Sequence, residues 1–366
     1  MGSGHGLPQM LAELSRPGEL VQPVPDAADK AVQCVACAHM CRIRDGGHGV
    51  CHVRFNSGGT LRVPHGYASS VACDPIEKKP FYHFLPGRDA LSFGMLGCNL
   101  HCPFCQNWTI SQALRDPEAV LSPRPCSAEQ LVSLARRNAA PILSSTYNEP
   151  LISSEWAVEI FRLGKAHGLL TTYVSNGFAS PQVLEYLDPW LDAMNVDLKC
   201  FSDEGYRTLG GRLDPVLDTI RALWARRKWV EVITLIVPGF NDSDRELAQI
   251  AEFLVSVSPD IPWHVTAYHA DYKMAQGPAR TSMERLQAGA EIGRKAGLRY
   301  IYGGNLLGLG RHENTYCHSC GRLLIERRGF SVSRNEVEAG GVCPGCQARV
   351  PGVWQVPECT VARMRQ

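Results

Sequence analysis

Ala90-Leu91-Ser92-Phe93-Gly94-Met95 runs through Leu96 into Gly97-Cys98-Asn99-Leu100-His101-Cys102-Pro103-Phe104-Cys105-Gln106-Asn107-Trp108. The first six residues are apolar or small and read as a buried strand, which delivers the three cysteines at its C-terminal end. Thiolates spaced C-x3-C-x2-C can grip three irons of a cubane and leave the fourth iron open. A cluster kept for electron transfer normally takes four cysteines, and structural zinc takes four ligands, so a compact triad leaves a position for another molecule. A zinc loop that borrows a distant ligand and three buried thiols are the other readings of these residues.

Outward from this stretch, strand and helix alternate. Ser127 to Gln130 forms a capping box before the apolar stripe of Leu131, Leu134 and Ala135. Ile142 and Leu143 begin a second strand, and Trp156, Ile160 and Leu163 line the helix that Gly168 ends. Further strands are expected at Leu169–Val174, Ala193–Leu198, Val230–Val237, His264–Tyr268 and Leu298–Tyr302. Helices start at Asp214-Pro215 and at two capping pairs, Ser243 with Glu246 and Thr281 with Glu284. Such alternation requires parallel strands covered by helices. The expected class is α/β, an open or partial (β/α) TIM-like barrel, with a doubly wound sheet as the runner-up. Barrel enzymes carry their chemistry on loops after the strands' C-terminal ends, and the unusual polar groups here fall there. They are Asn148 and Glu149 in Thr146-Tyr147-Asn148-Glu149-Pro150, Ser175-Asn176-Gly177, and Asp197 with Lys199 on one side of a strand. Thr234 and His264 lie in later strands.

The chain has 366 residues, enough for about two domains. We divide it into a lead-in (1–30), a cysteine-rich metal segment with its linker (31–89), the barrel (90–305) and a tail module (306–366). The lead-in, with Pro8, Pro17, Pro23 and Pro25, reads as loosely ordered or surface-wrapping. Met1 to Gly6 does not read as a signal peptide, and no apolar run approaches the roughly 18 residues of a membrane span. A net charge of +1 gives no footprint for nucleic acid or an anionic membrane. Eleven of the 15 cysteines are bunched into three clusters, which metal ligation in a reducing cytoplasm explains better than disulfides do. Cys73, Cys126, Cys200 and Cys359 read as inert small hydrophobes.

The leader cluster is Cys34, Cys37, Cys41 and Cys51, a closed set of four thiolates for which zinc is the first choice and an auxiliary iron–sulfur cluster the second. His39, His48 and His52 read as loop histidines. Lys78 and Lys79 read as a solvated basic turn. In the tail, Cys317 and Cys320 face Cys343 and Cys346 across 22 intervening residues, the pattern of a zinc ribbon, with a rubredoxin-like iron site as chemical rival. Its arginines are balanced by Glu326, Glu336 and Glu338, so a structural lid or docking module is expected.

The triad, its flanks Ser92-Phe93-Gly94 and Cys105-Gln106-Asn107-Trp108, the Tyr147-Asn148-Glu149-Pro150 run, Asp197 to Lys199 and the ribbon resemble the radical S-adenosylmethionine (SAM) enzymes. They look like the branch holding the glycyl-radical-enzyme (pyruvate formate-lyase) activases and the AmmeMemoRadiSam proteins. The resemblance implies a 4Fe-4S cluster on Cys98, Cys102 and Cys105, with SAM chelating the open iron and Phe104 near the adenine. Glu149 takes the role of the Gly-Gly-Glu carboxylate at the SAM amino group, although both glycines are missing here. Asn148, Ser175 and Asn176 fall beside SAM, as do Asp197 and Lys199, with a monovalent cation at Asp197, and Thr234 and His264 are further SAM candidates. His269, Tyr272 and Lys273 are candidate substrate contacts. The implied reaction is reductive SAM cleavage and hydrogen abstraction by a 5′-deoxyadenosyl radical. It needs a low-potential donor such as flavodoxin or ferredoxin, and AmmeMemo-like and Memo-like proteins are expected partners. The substrate is a small molecule or a protein side chain, with glycyl-radical activation as one alternative and a non-catalytic iron–sulfur/zinc scaffold or electron carrier as another.

Overall fold

Seven parallel strands frame the cysteine triad in the computed structural model, which describes residues 6–25, 29–119 and 121–356. Met1 to His5 and Cys359 lie outside these residues. The lead-in is ordered where it is described: α1 (Leu7–Glu13) leads to β1 (Ser15–Pro17) and β2 (Val21–Pro23). β1 joins a sheet with β5 (Phe55–Ser57) and β6 (Thr60–Pro64), and β2 joins β3 (Val32–Cys34) and β4 (Arg42–Ile43). Pro17 and Pro23 are tolerated because β1 and β2 are edge strands, where a missing N–H breaks no ladder.

β7 (Tyr67–Ala68) leads to β8 (Ser70–Pro75), which runs antiparallel to β9 (Asp89–Gly94), the strand before the triad. After α2 (Trp108–Ser111), β10 (Arg124–Pro125) pairs back onto β7. Then α3 (Ala128–Arg137), β11 (Ile142–Ser145), α4 (Ser154–Ala166), β12 (Leu170–Ser175) and α5 (Pro181–Leu187) alternate. β13 (Ala193–Asp197), α6 (Asp203–Thr208), α7 (Asp214–Ala225), β14 (Trp229–Ile236), α8 (Asp244–Val257), β15 (Trp263–Ala267), α9 (Met283–Ala296) and β16 (Ile301–Gly304) complete the barrel. Spatial order follows chain order from β8 through β9 and β11 to β16. A doubly wound sheet reverses its order at a switch point, so the runner-up architecture is ruled out. Among the described residues β16 pairs with β15 and β8 with β9, which leaves the barrel open between them.

Local signals set most boundaries. Ser127 and Gln130 form the reciprocal capping box of α3. Ser243 caps α8, but the Glu246 carboxylate turns away to accept from the Phe201 N–H at 2.7 Å. The α7 start is one residue off the expectation: Leu213 is the cap and Asp214 is already helical. In α9 the cap is Ser282, because the Thr281 hydroxyl donates to the Ile236 carbonyl at 2.5 Å. The last strand begins later than Leu298, since Gly297 closes α9 in the left-handed region and the Leu298 N–H is still spent on the Gly293 carbonyl.

Strand alternation sorts β14 into an outward face of Val230, Val232 and Thr234 and an inward face of Glu231, Ile233 and Leu235. Deep inside, Glu231 accepts from the backbone N–H groups of Tyr82 (3.0 and 2.9 Å) and His83 (2.8 Å) and from Trp229 Nε1 (3.0 Å), and it pairs with His264 Nε2 at 2.7 Å. A buried carboxylate is tolerated when it is satisfied in this way.

The tail forms a sheet of β17 (Thr315–Tyr316), β18 (Leu323–Arg328) and β19 (Ser331–Asn335). From β18, Arg327 reaches between β16 and the Ile76–Gly87 connection. Its guanidinium donates to the Tyr82 carbonyl (2.7 Å) and Thr315 Oγ1 (2.8 Å), stands 3.5 Å from Glu77 and lies over the Tyr82 ring. Arg327 and Glu77 are both fully buried, so the tail fills the open side of the barrel with a paired charge.

The leader is fastened just as firmly. Arg54 and Glu155 on α4 make a bidentate pair at 2.7 and 2.7 Å with essentially no exposure. A third bond runs from Arg54 to the Ile152 carbonyl at 3.0 Å.

Candidate active site

At the C-terminal strand ends a cavity of about 440 Å³ collects Cys98, Cys102 and Cys105 with Phe104, Asn148, Glu149, Asn176, Asp197 and Lys199. The triad loop depends on Gly97, whose φ of +93° is left-handed and whose missing Cβ would stand 2.8 Å from Val53 Cγ1. Glycine thus lets the loop lie directly on the leader. The Leu100 N–H donates to Cys98 Sγ at 3.3 Å, and Ser111 Oγ lies 3.3 Å from Cys105 Sγ. Such donors stabilise thiolates and tune the metals they bind. Burial pushes the Cys102 thiol up to about 12, while the Lys199 ammonium pulls the other way.

Among the described residues, the tail cysteines are the group of three or more metal-ligating residues whose donor atoms all lie within 4.8 Å of one another. The triad sulfurs are more dispersed and face a shared cavity. That geometry suits a polynuclear cluster, in which each thiolate binds its own iron.

Glu149 stands at the end of β11, in a turn where Tyr147 adopts a left-handed φ of 75°. Such a conformation costs a non-glycine residue about 1–3 kcal/mol and concentrates at functional sites. Glu149 Oε1 accepts from Ser175 Oγ (2.7 Å) and the Leu151 N–H (3.0 Å), and Oε2 accepts from the Asn176 N–H (2.8 Å). A carboxylate offers about four acceptor positions, so one stays open towards the cavity. Burial pushes the Glu149 carboxyl up to about 7 against the pull of those three donors. Asn148 Oδ1 accepts from the Met95 N–H at 3.0 Å and so fixes β9 to the same turn. Lys199 Nζ pairs with Asp197 Oδ2 at 3.1 Å.

Not every candidate meets the cavity. Ser175 acts behind Glu149 and is absent from the lining. Thr234 faces outward, where its hydroxyl donates to the Leu198 carbonyl (3.0 Å) and accepts from Trp263 Nε1 (3.0 Å). His264 does point inward, but one layer below the lining residue Thr266, and it is held by Glu231 and the Tyr82 and Tyr302 rings. Neither Thr234 nor His264 borders the cavity in this structure. His269, Tyr272 and Lys273 also miss the lining; Tyr272 instead stacks on Trp108 at 5.0 Å and donates to Asp116 at 2.8 Å.

Lys79 corrects the reading of a solvated basic turn. It is buried, donates to Tyr147 Oη at 3.1 Å and lines the cavity; Lys78 is exposed and borders the same cavity at its rim. Asn305 and Phe330 complete the mouth, and both also border an adjoining cavity of about 660 Å³ that carries Arg280 and Arg328. Phe330 comes from the β18–β19 turn, so the tail reaches the site; local sequence carries no signal for this.

In the tail, Cys317 and Cys346 sulfurs are 3.6 Å apart and those of Cys320 and Cys343 are 3.7 Å apart. One ion bonded to four tetrahedral sulfurs at about 2.3 Å sets an edge of roughly 3.8 Å, so the group can hold a metal. The four leader cysteines do not gather on that scale.

The Radical SAM superfamily model matches residues 94–254. The uncharacterized protein MJ0808 of Methanocaldococcus jannaschii is 37% identical over 306 residues, 83% of this chain and 90% of that one. A pyruvate formate-lyase-activating enzyme of Listeria monocytogenes is 24% identical over 218 residues, 56% of this chain and 86% of that one. The isethionate sulfite-lyase activating enzyme of Desulfovibrio desulfuricans is 25% identical over 130 residues, 35% of this chain and 41% of that one. Among solved structures, a domain of pyruvate-formate lyase-activating enzyme from Bacteroides vulgatus aligns with 44% of this chain and 98% of its own, at 20% identity and a TM-score of 0.40.

Proposed function

This chain belongs to the radical SAM superfamily, and on that premise we propose that Cys98, Cys102 and Cys105 ligate a 4Fe-4S cluster whose open iron takes SAM. When bound and reduced, such a cluster would supply the one electron needed to cleave SAM into methionine and a 5′-deoxyadenosyl radical, the hydrogen-abstracting species this chemistry provides. The residues of the chain bind, orient and exclude water. Glu149 offers its remaining acceptor position to the SAM ammonium, with Ser175 and Asn176 holding the carboxylate in place. Asn148 sets the turn, and Phe104, packed on Phe240, provides an apolar face for the adenine. The Asp197–Lys199 pair meets the other polar end of the methionine moiety, and Lys199 already supplies there the positive charge expected of a monovalent cation.

The observation that carries this reading is the convergence of three dispersed thiols and the Glu149 carboxylate on one cavity at the strand ends. Lys79 at one end and Arg280 and Arg328 beyond Phe330 favour a substrate with anionic groups, either a small molecule or a protein side chain. The ribbon metal is zinc in this proposal, and the electron donor is a low-potential protein of the flavodoxin or ferredoxin class. AmmeMemo-like and Memo-like proteins are the proposed partners. Glycyl-radical activation is the second reading, favoured by the names of the relatives at 24–25% identity. Among the described residues no helix is long and apolar enough to cross a membrane; a cytoplasmic site of action is part of the proposal. The proposed division of the chain is a leader, a barrel and a tail module.

Anaerobic reconstituted protein with dithionite and SAM is expected to form 5′-deoxyadenosine and methionine. Isotope transfer from labelled cell extract into 5′-deoxyadenosine would then identify the hydrogen donor. No SAM cleavage by protein with a full cluster would reject the reading.

A further inference from the structure

Cys34, Cys37 and Cys51 are buried and Cys41 is half-buried, and Cys34 lies within electrostatic reach of the other three. The Val50 N–H donates to Cys41 Sγ at 3.5 Å, and the Cys34 N–H donates to the Cys41 carbonyl at 2.9 Å, so the loop folds back on itself. The tail sulfurs stand at zinc-edge distances, whereas no three leader ligand atoms come within 4.8 Å of one another. Thiolates too dispersed for a single ion fit a cubane instead, which takes one sulfur on each iron at a separate corner. The nearby His39 is already engaged, with Nε2 at 2.8 Å from the Asn99 carbonyl and its ring against Phe178.

Asn99 supplies an independent observation. It follows Cys98 directly and is fully buried, and its Nδ2 has no hydrogen-bond partner among the described residues. Its side chain borders Cys37 on one side, and on the other its Oδ1 stands 3.8 Å from Cys98 Sγ and accepts from Asn176 Nδ2 at 2.7 Å. One amide thus separates a leader thiol from a triad thiol, with its Nδ2 on the Cys37 side and no nitrogen or oxygen partner. N–H groups directed at cluster sulfurs tune their potential.

We propose that Cys34, Cys37, Cys41 and Cys51 bind a second 4Fe-4S cluster, placed by Asn99 in electron contact with the cluster on the triad. A low-potential one-electron donor protein reduces the leader cluster; that electron then passes to the triad cluster, which becomes reduced as the leader cluster returns to its oxidised form. No proton moves. The proposal replaces the first-choice leader zinc and rests on the radical SAM reading for the triad cluster alone.

Metal analysis and Mössbauer spectroscopy on the anaerobically reconstituted full chain test it. About eight irons and one zinc per chain are expected, with EPR of the fully reduced protein showing magnetic interaction between two clusters. The Cys34→Ser/Cys37→Ser variant should fall to about four irons, lose the interaction and keep a cluster whose EPR signal changes on adding SAM. The Cys98→Ala/Cys102→Ala/Cys105→Ala variant should keep about four irons with a signal that ignores SAM. About four irons and two zincs in the unmodified chain would overturn the leader cluster even if neither variant folds. Eight irons without magnetic interaction would overturn the electron contact. A missing SAM response in the leader variant, with its four irons in place, would count instead against the triad reading.

Discussion

The backbone N–H of Asn176 donates to Glu149 Oε2 over 2.8 Å, so the end of β12 holds a carboxylate rooted at the end of β11. This bond fixes which oxygen faces the cavity. Charged hydrogen bonds contribute roughly 1.5–3 kcal/mol, so Glu149→Ala should weaken SAM binding by about ten- to a hundredfold. Lys199→Ala should do the same at the other polar end, where its ammonium offers the SAM carboxylate a positive charge. Both variants are expected to retain cluster iron, and SAM titration followed by EPR checks this; wild-type affinity in both would remove these roles.

Cys98→Ala, Cys102→Ala and Cys105→Ala should each reduce SAM-dependent 5′-deoxyadenosine to background. The tail lies on separate strands, so its metal content should be unchanged in all three. Chromatographic assay of 5′-deoxyadenosine beside metal analysis separates loss of chemistry from loss of fold.

Cys320→Ser should release about one zinc per chain, because a closed four-thiolate site does not survive loss of a ligand. Phe330 and Arg327 hang from the same sheet, so the site should loosen as well. Hydrogen exchange at β18 and at Tyr82 and His83 is expected to rise, with triad iron retained.

Arg54→Ala should destabilise the chain by about 3–5 kcal/mol, since it leaves the Glu155 carboxylate buried and unpaired. Arg54→Met with Glu155→Leu should recover most of that loss. Denaturant melts of the two variants measure the difference.

Acid should loosen the contact between the tail and the barrel. His83 is sealed between the Pro351 carbonyl and Tyr302 Oη, both at 2.6 Å, and burial pushes it down to about 4, although Glu231 acts in the opposite sense. Arg327 and His264 face the same pocket and disfavour its charge. The folded state therefore resists protonation that the unfolded chain accepts near 6.5. Stability is full above that pH and falls as pH drops towards 4, by on the order of 3 kcal/mol at most. Melting temperature against pH should show this slope, and His83→Gln should flatten it.

The barrel was legible because its signals are local: periodic apolar residues, capping pairs such as Ser127 with Gln130, and polar groups where strands end. The triad, Glu149 and Asp197 could be picked out for the same reason, as each sits within a short run of unusual residues. What stayed hidden depends on distant partners. Lys79 looks like a surface lysine until Tyr147, 68 positions away, covers it. His264 looks like a cavity residue until Glu231 claims it. Arg327 is one tail arginine among several, and only the gap beside β16 gives it a purpose. The leader cysteines show the same limit, because spacing alone does not tell how far apart folded sulfurs stand.

The Arg327 wedge has a consequence for how this molecule is made. The leader precedes the triad loop in the chain, so the surface against which Gly97 packs is already present when that loop emerges from the ribosome. The wedge comes more than two hundred residues after that loop. Until then one flank of the nascent barrel exposes Glu77, Tyr82 and Tyr302 to water. A messenger truncated just before Arg327 would encode every cluster and SAM ligand proposed here and still yield a protein with that flank unsealed.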